Sequence, residues 1–167
     1  MTTGQDTAPR RAIVALGANL GDRRATLERA VRLIGSELGR VEARSRWLAT
    51  PALIHPDDPA RSYPEFLNGA VVLRTPLAPA AILQRLHAIE ARLGRDRSTE
   101  TARWRPRLID LDLIAVDDLV LDEPDLRLPH PEMHRRDFVL APLCEVWPDW
   151  RHPLLGRTAR ELLAALG

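Results

Sequence analysis

The sequence predicts an α+β fold in which helices pack on an antiparallel sheet. Two segments place apolar residues at the 3.6-residue spacing of an amphipathic helix, and others are rich in apolar or β-branched residues, as strands are. Along the chain they alternate as β-α-β-β-α-β, which is the ferredoxin-like arrangement. We therefore expect a single domain at residues 11–167, preceded by a disordered tail at residues 1–10 that is polar and aperiodic.

Local patterns justify the first five elements. Asp22 and Thr26 are the candidate N-caps of the first helix, and Pro79 suits the first turn of the second helix. Gly39 and Gly94 follow the two helices, as glycine commonly does. The predicted strands are Arg11–Gly17, Val41–Thr50 and Phe66–Thr75, and the predicted helices are Ala25–Leu38 and Pro79–Leu93.

The last strand of the pattern contains a pair of aspartates. Apolar and acidic residues alternate over 109–114, which predicts a strand with one buried face and with Asp110 and Asp112 together on the other. Beyond it we expect a short extra strand at Asp118–Leu121 and C-terminal helices at Val139–Val146 and Thr158–Leu166. These additions extend the ferredoxin-like core, because the chain is too short for a second domain of ordinary size.

Composition excludes several classes of protein. Hydrophobic residues make up 45% and charged residues 28% of the chain, and a formal net charge of +1 gives no general attraction to nucleic acid or membranes. No apolar run approaches the roughly 20 residues of a membrane helix, and no signal-peptide pattern opens the sequence. The single cysteine, Cys144, allows no disulfide within the chain, so we expect a cytoplasmic protein.

The sequence contains no lysine, so every basic residue is an arginine. This excludes a phosphate-binding loop of the Gly-x-x-x-x-Gly-Lys type and the strand lysine of protein kinases. Bound phosphates would have to be held by arginine side chains and metal ions. The stretch before the aspartate pair contains Arg97, Arg103, Arg105 and Arg107, together with Trp104.

The pair formed by Asp110 and Asp112 is the strongest candidate for a metal site. Two carboxylates on one face of a strand repel each other unless a cation lies between them. Mg²⁺ suits them, since it commonly binds one or two carboxylates and then substrate phosphates. Alone, an Asp-x-Asp pattern is equally compatible with the solvated face of a sheet. The neighbouring arginines and tryptophan favour a site of phosphate transfer.

Other polar residues carry less information when taken singly. His130 lies between two prolines and is compatible with a surface histidine. Glu90 follows His87 by three positions on the second predicted helix, where an exposed pair is the ordinary expectation. Asn68 could satisfy a backbone group at a strand edge.

Together these segments resemble the 6-hydroxymethyl-7,8-dihydropterin pyrophosphokinase family of folate biosynthesis. The resemblance runs from Ala12 to about Leu143. It rests on ALGANLGD near the start, on Phe-Leu-Asn at 66–68, on LGRDR ending at Arg97, and most specifically on Trp-x-Pro-Arg-x-x-Asp-Leu-Asp at 104–112, joined by LPHP and Arg-Asp-Phe at 136–138. The sequence departs from the family in having Arg105 where glycine is usual and His87 where glutamine is common.

The resemblance implies an ATP-dependent diphosphokinase that transfers pyrophosphate from ATP to the hydroxymethyl group of the pterin and releases AMP, with two Mg²⁺ ions. It implies small-molecule substrates, no nucleic acid or membrane partner, and a monomer. By motif, the catalytic residues are Arg95, Arg97, Arg107, Asp110 and Asp112, of which both aspartates bind metal. The implied pterin site contains Thr50, Pro51, Leu53, Phe66, Asn68, Trp104 and Phe138. The implied ATP site contains Leu83, His87, Glu90, Arg95, Arg97, Trp104, Arg107, Leu113, His130 and Arg136.

Two other classes of protein share parts of this pattern. A metal-dependent nucleotidyl transferase of the polymerase-palm kind has the same topology and paired aspartates, but it needs a basic surface for its template, which a net charge of +1 does not favour. An RNA-recognition domain has stacking aromatic residues on its central strands, and here aromatic residues make up only 4% of the chain.

Overall fold

The computed structural model describes residues 8–51, 56–57, 64–95 and 108–167. Within these ranges one antiparallel sheet forms the centre of the fold, flanked by helices and followed by a small hairpin. The strands are β1 (Arg10–Ala18), β2 (Arg40–Arg44), β3 (Leu48–Thr50), β4 (Phe66–Thr75), β5 (Asp110–Val116), β6 (Leu121–Glu123) and β7 (Leu126–Leu128). The helices are α1 (Arg23–Glu37), α2 (Pro79–Arg92), α3 (Asp137–Val146) and α4 (Ala159–Ala165).

The strand order β2-β4-β1-β5, with β3 also paired to β4, places β1 and β4 at the centre and β5 at an edge. This is the ferredoxin-like topology predicted from the sequence. Of the two candidate N-caps of α1, Asp22 is the N-cap in the structure, and its side chain accepts a hydrogen bond from the Ala25 backbone at 3.1 Å. Pro79 occupies the first turn of α2, and Thr158 and Glu161 form a capping box on α4.

The two faces of the sheet are covered differently. Leu16, Leu73 and Leu111 point to the face covered by α1 and α2, where they join the larger core cluster. On the opposite face, Ile13 and Ile114 pack against residues of α3 and α4. Toward one end of β1 and β5 this face continues with Ala15, which still packs against the second cluster, and then with Gly17 and the two aspartates.

The predicted strand Val41–Thr50 is wrong in its continuity, because the structure divides it into β2 and β3. At Ser45 the chain leaves the ladder: the Ser45 side chain accepts a hydrogen bond from the Ala70 backbone at 2.9 Å. The Trp47 ring then lies against Gly69, where a Cβ atom would come within 2.5 Å of the ring. The ladder resumes at Leu48, which is paired with Asn68.

The predicted extra strand at Asp118–Leu121 is displaced in the structure. Residues 117–118 form a turn in which Asp117 has φ 45°, and the strand that follows is β6, paired with β7. The turn is held in place because Trp150 donates a hydrogen bond from Nε1 to the Asp117 carbonyl at 3.0 Å. The extra strand is therefore the first half of a hairpin.

Most other predicted bounds agree with the structure within two residues. β4 spans the predicted range, and β1 begins at Arg10, one residue before its predicted start. Among the described residues, no helix is both long and apolar enough to cross a membrane. Residues 1–7 of the predicted tail, and the predicted site residues Leu53, Arg97, Trp104 and Arg107, lie outside the described ranges.

Candidate active site

Three strands bring the polar residues of the site into one row. Gly17 of β1 is paired with Asn68 of β4 on one side and with Asp110 of β5 on the other. Directly paired residues of an antiparallel sheet point to the same face. Across the sheet the row therefore consists of the Asn68 amide, Gly17 and the Asp110 carboxylate, on the face that α1 and α2 do not cover.

The next row on this face repeats the arrangement with smaller groups. Ala15 of β1 is paired with Ala70 of β4 and with Asp112 of β5. Gly17, Ala15 and Ala70 thus form a floor of small residues between Asn68 and the aspartates. These small side chains do not rise between Asn68 and the aspartates, although Ala70 is itself only 3% exposed.

Asn68 is fixed at the β4 side of the floor. Its side chain is 7% exposed, and Nδ2 donates a hydrogen bond to Thr50 Oγ1 of β3 at 2.6 Å. A Cβ atom at Gly17 would lie 2.9 Å from Asn68 Oδ1 and 3.9 Å from a ring carbon of Phe66. Only a glycine at position 17 lets the Asn68 amide lie across β1. The fold thus brings together Thr50, Phe66 and Asn68, three of the residues predicted for the pterin site.

Asp110 and Asp112 lie on one face of β5, as the alternation predicted, and both are partly exposed. Asp110 accepts a hydrogen bond from Arg95 Nη1 at 2.8 Å. The same nitrogen lies 2.5 Å from Glu90 Oε2, and the Arg95 and Glu90 side chains are only 3% and 1% exposed. The expectation that Glu90 forms an exposed pair with His87 is therefore wrong: Glu90 points inward from the end of α2, whereas His87 is exposed.

The pKa of the Asp112 carboxyl is raised in this site. Burial first, and then the charges of Asp110 and Glu90, raise the pKa of Asp112 to about 7, while Arg136 and Arg95 act in the opposite direction. A carboxyl that is this costly to ionise becomes stable as an anion when a cation binds beside it. The chemistry of this donor set fits Mg²⁺, which binds two carboxylates and completes its shell with water or phosphate oxygens. Among the described residues no group of three or more such ligands occurs, so an all-protein cage is absent there.

A second set of polar groups approaches the aspartates from beyond the hairpin. His130 donates its backbone N–H to the Ile114 carbonyl at 2.8 Å, which fixes this segment beside β5. His130 Nδ1 accepts a hydrogen bond from the Glu132 backbone at 3.2 Å, and burial, followed by the charge of Arg136, lowers the pKa of the imidazole. The ring is therefore neutral near pH 7 and carries its proton on Nε2. Arg136 also lies 5.7 Å from the centre of the Phe138 ring.

The other predicted ATP contacts lie on α2 and β5. Leu83 is partly buried and packs against the core cluster beneath α2, and Leu113 is 4% exposed in the same cluster. His87 is exposed on α2. Pro51, which was predicted for the pterin site, is exposed directly after β3. The structure thus brings Arg95, Glu90 and both aspartates into contact or close proximity, but it places Leu83 and Leu113 mainly in the core.

Sequence reasoning missed two parts of this site. The first is the floor of small residues, which depends on the register of β1 against β4 and β5. The second is the contact between Glu90 and Arg95, five positions apart across the end of α2. Its only sequence signal was Gly94, whose φ of 101° lets the chain reverse so that Arg95 points back toward the helix end.

Comparison with known proteins identifies a family for the chain. A model of the 7,8-dihydro-6-hydroxymethylpterin-pyrophosphokinase (HPPK) family matches residues 13–148. The 2-amino-4-hydroxy-6-hydroxymethyldihydropteridine pyrophosphokinase of Synechocystis sp. is 40% identical over 153 residues, which are 91% of this chain and 74% of the relative. The enzyme of that name from Methylorubrum extorquens is 41% identical over 157 residues, which are 93% of each chain.

Solved structures show the same fold in a longer chain. The wild-type HPPK-DHPS of Plasmodium falciparum aligns with a TM-score of 0.72 and 17% sequence identity, covering 97% of this chain and 42% of the other. An A437G/K540E form of HPPK-DHPS with pterin and p-hydroxybenzoate aligns with a TM-score of 0.67 over 94% of this chain and 43% of the other. This chain therefore spans less than half the length of those proteins. At such low identity the likeness concerns the fold alone.

The family model and the relatives decide between the classes that the sequence left open. Neither the polymerase palm nor the RNA-recognition domain accounts for a match that covers residues 13–148. Relatives near 40% identity extend over more than nine tenths of the chain. The chain belongs to the 7,8-dihydro-6-hydroxymethylpterin-pyrophosphokinase family.

Proposed function

We propose that the open face of the sheet carries out the reaction for which the family is named. The pyrophosphoryl group of ATP passes to the hydroxymethyl group of 6-hydroxymethyl-7,8-dihydropterin, a step of folate biosynthesis. The substrate hydroxyl oxygen forms a bond to the β-phosphorus, the bond from that phosphorus to the oxygen of the α-phosphate breaks, and AMP leaves; the hydroxyl proton is released. The observation that carries the proposal is the row in which Gly17 separates the Asn68 amide from the Asp110 carboxylate.

The amide end of the row suits the pterin ring. A pterin has a polar edge with hydrogen-bond donors and acceptors and two flat apolar faces. Asn68, held by Thr50 at 2.6 Å, offers an amide to that edge. Phe66 begins β4 beside the floor, and Phe138 is the second residue of α3, so both supply aromatic surface for the faces of the ring. Pro51, Leu53 and Trp104 complete this proposed pocket.

The carboxylate end suits the phosphates and their metal. Asp110 and Asp112 would hold two Mg²⁺ ions, which neutralise phosphate charge and help align the groups for in-line displacement. Arg95 fixes Asp110 from behind through its 2.8 Å contact. Arg136 brings positive charge to the same end, and neutral His130 can donate a hydrogen bond from Nε2 to a phosphate or ribose oxygen. Leu83, His87, Arg97, Arg107 and Leu113 complete the proposed ATP site, and Glu90 lies behind it in contact with Arg95.

The remaining expectations are part of the same proposal. We expect one domain at residues 11–167, a monomer and a cytoplasmic location. All three are consistent with a sheet that is covered within one chain and with a single, partly buried cysteine, Cys144. Light scattering of the purified protein at two concentrations measures its oligomeric state, and a mass of twice the chain would contradict the monomer.

The decisive assay incubates the protein with ATP, Mg²⁺ and the hydroxymethyl-dihydropterin and separates the nucleotide products. We expect AMP in equal amount to the pterin diphosphate. A 6-methyl-dihydropterin, which lacks the accepting hydroxyl, is the matched control and should give no AMP above the level without pterin. Formation of ADP, or of AMP with free pyrophosphate, would contradict the proposed transfer.

A further inference from the structure

The outer edge of the sheet is completed by side chains where β5 begins. Edge strands ordinarily leave their outward backbone groups to water. Here the Leu111 N–H donates to Glu90 Oε2 at 3.0 Å, and the Ile109 carbonyl accepts from Arg95 Nη1 at 3.2 Å. A carboxylate and a guanidinium thus occupy the place that a further strand would fill, directly behind Asp110.

The two side chains form a buried chain of charges that ends in the site. Glu90 is 1% exposed, Arg95 is 3% exposed, and Asp110, which follows them, is 27% exposed. The backbone around them is also tied, since the Arg95 N–H donates to the Glu90 carbonyl at 3.0 Å at the end of α2. Of the three ionic groups only the last presents appreciable surface to a ligand.

We propose that Glu90 is a positioning residue that acts on the reaction through Arg95. Glu90 shares the Arg95 guanidinium with Asp110 and at the same time fixes the backbone of the strand that carries Asp110. Without Glu90, the Arg95 guanidinium would lose one of the two carboxylates that contact it here, and its pull on Asp110 would no longer be shared with Glu90. Asp110 would then be turned from the phosphates and partly neutralised. This inference rests on the function proposed above.

The burial of Glu90 distinguishes this role from direct binding of ATP, which the family resemblance implied. Oε2 already accepts from Arg95 and from the Leu111 backbone. A side chain with 1% exposure has almost no surface for a nucleotide to contact. A direct ligand would mainly set the affinity for ATP, whereas a residue that orients Asp110 mainly sets the turnover number.

A double-mutant cycle tests the route through Arg95. Steady-state kinetics compare the wild type, Glu90→Gln, Arg95→Ala and the double variant. We expect Glu90→Gln to lower kcat by about 10- to 100-fold while the KM for ATP changes by less than about 3-fold. In a protein that already carries Arg95→Ala, Glu90→Gln should lower kcat by less than about 3-fold, because the arginine through which Glu90 acts is already absent. Glu37→Gln, which removes the exposed partner of Arg92, is the matched control and should leave kcat unchanged.

The inference would be overturned if Glu90→Gln lowered kcat by the same factor in the wild type and in Arg95→Ala. It would also be overturned if Glu90→Gln raised the KM for ATP and left kcat at the wild-type value. If Glu90→Gln does not fold, Glu90→Asp takes its place in the cycle, since it keeps the charge and withdraws it by one methylene. Hydrogen exchange at Leu111 reports the contact without any assay of activity and should quicken in Glu90→Asp. Failure of the wild type to release AMP would contradict the proposed function, whereas an active wild type with additive variants would contradict this inference alone.

Discussion

The two ends of the row differ in how they are held. Asn68 lies on β4, between β1 and β3, and a hydrogen bond from its amide nitrogen to Thr50 holds the side chain. Asp110 lies on the edge strand, where side chains from the end of α2 can reach it and hold it through a buried ion pair. A neutral amide can be fixed inside a sheet at little cost, whereas charged groups need partners that only the edge can bring.

The ends also differ in how complete they are without ligands. The amide end consists of neutral groups. At the other end, burial first, and then the charges of Asp110 and Glu90, raise the pKa of Asp112 to about 7. The ionised form of Asp112 is therefore unfavourable until a cation binds beside it, whereas the neutral groups at the amide end carry no such cost.

The largest expected effect comes from removing a charge at the carboxylate end. Asp110→Asn and Asp112→Asn should each lower kcat by a factor of 10³ or more, on the order of 4 kcal/mol in the barrier, because the proposed metal site would lose a ligand. Asp112→Asn should unfold at no lower temperature than the wild type in EDTA, since it relieves the crowding of carboxylates. Scanning calorimetry measures this, and near wild-type turnover of both variants at saturating Mg²⁺ would remove the metal assignment.

A methyl group at the centre of the row should damage one end only. Gly17→Ala brings a Cβ to within 2.9 Å of Asn68 Oδ1, so the amide must move. We expect the KM for the pterin to rise by about 10- to 100-fold, with ATP affinity changed by less than about 3-fold.

The control is Gly35→Ala on α1, where the new Cβ meets only Val41 at an ordinary 3.6 Å and alanine favours the helix. This variant should keep full activity. Pterin binding that is unchanged in Gly17→Ala would mean that Asn68 does not determine pterin affinity.

A smaller effect should follow loss of the support behind the amide. Thr50→Val keeps the shape of the side chain and removes the acceptor of the 2.6 Å bond from Asn68. We expect a loss of about 1 kcal/mol in pterin binding, or roughly 5-fold, and no change in ATP binding. Calorimetric titration with each ligand measures both. An equal loss for ATP would show that the two ends are not independent.

The smallest effect is on stability and lies outside the site. The Glu28 carboxylate of α1 accepts hydrogen bonds from Arg44 and Trp47, which lower its pKa from 4.5 to about 2, with Arg44 as the larger cause. A carboxyl with a lowered pKa stabilises the fold above pH 4.5 and loses this contribution as the pH falls through about 2.

Glu28→Gln should therefore be less stable than the wild type at pH 6 by less than about 1 kcal/mol, because the pair is partly exposed. The difference should shrink between pH 4.5 and pH 2. Urea unfolding of both proteins at pH 6 and at pH 2 measures the difference in stability. A difference that grows on acidification would contradict the assigned pairing, and turnover at pH 7 should be unaffected.

The sequence predicted the family, the order of the elements and the shared face of Asp110 and Asp112, because these depend on motifs and on local periodicity. It did not predict the break at Ser45, which arises from a contact between Trp47 and a glycine on another strand. It predicted an exposed Glu90, because the helical pattern shows which positions are polar but not that a chain reversal at Gly94 would bring an arginine back over them. The residues whose side chains cross between elements are those that local patterns cannot locate.

The side-chain bonds at the start of β5 also bear on association between copies of the chain. A strand from another molecule adds to a sheet by pairing with free backbone groups at its edge. At Ile109 and Leu111 these groups are already bonded to Arg95 and Glu90. The opposite edge strand, β2, alternates exposed arginines with Glu42. The contacts of Glu90 and Arg95 thus also occupy two backbone groups with which a strand from another copy of the chain could otherwise pair.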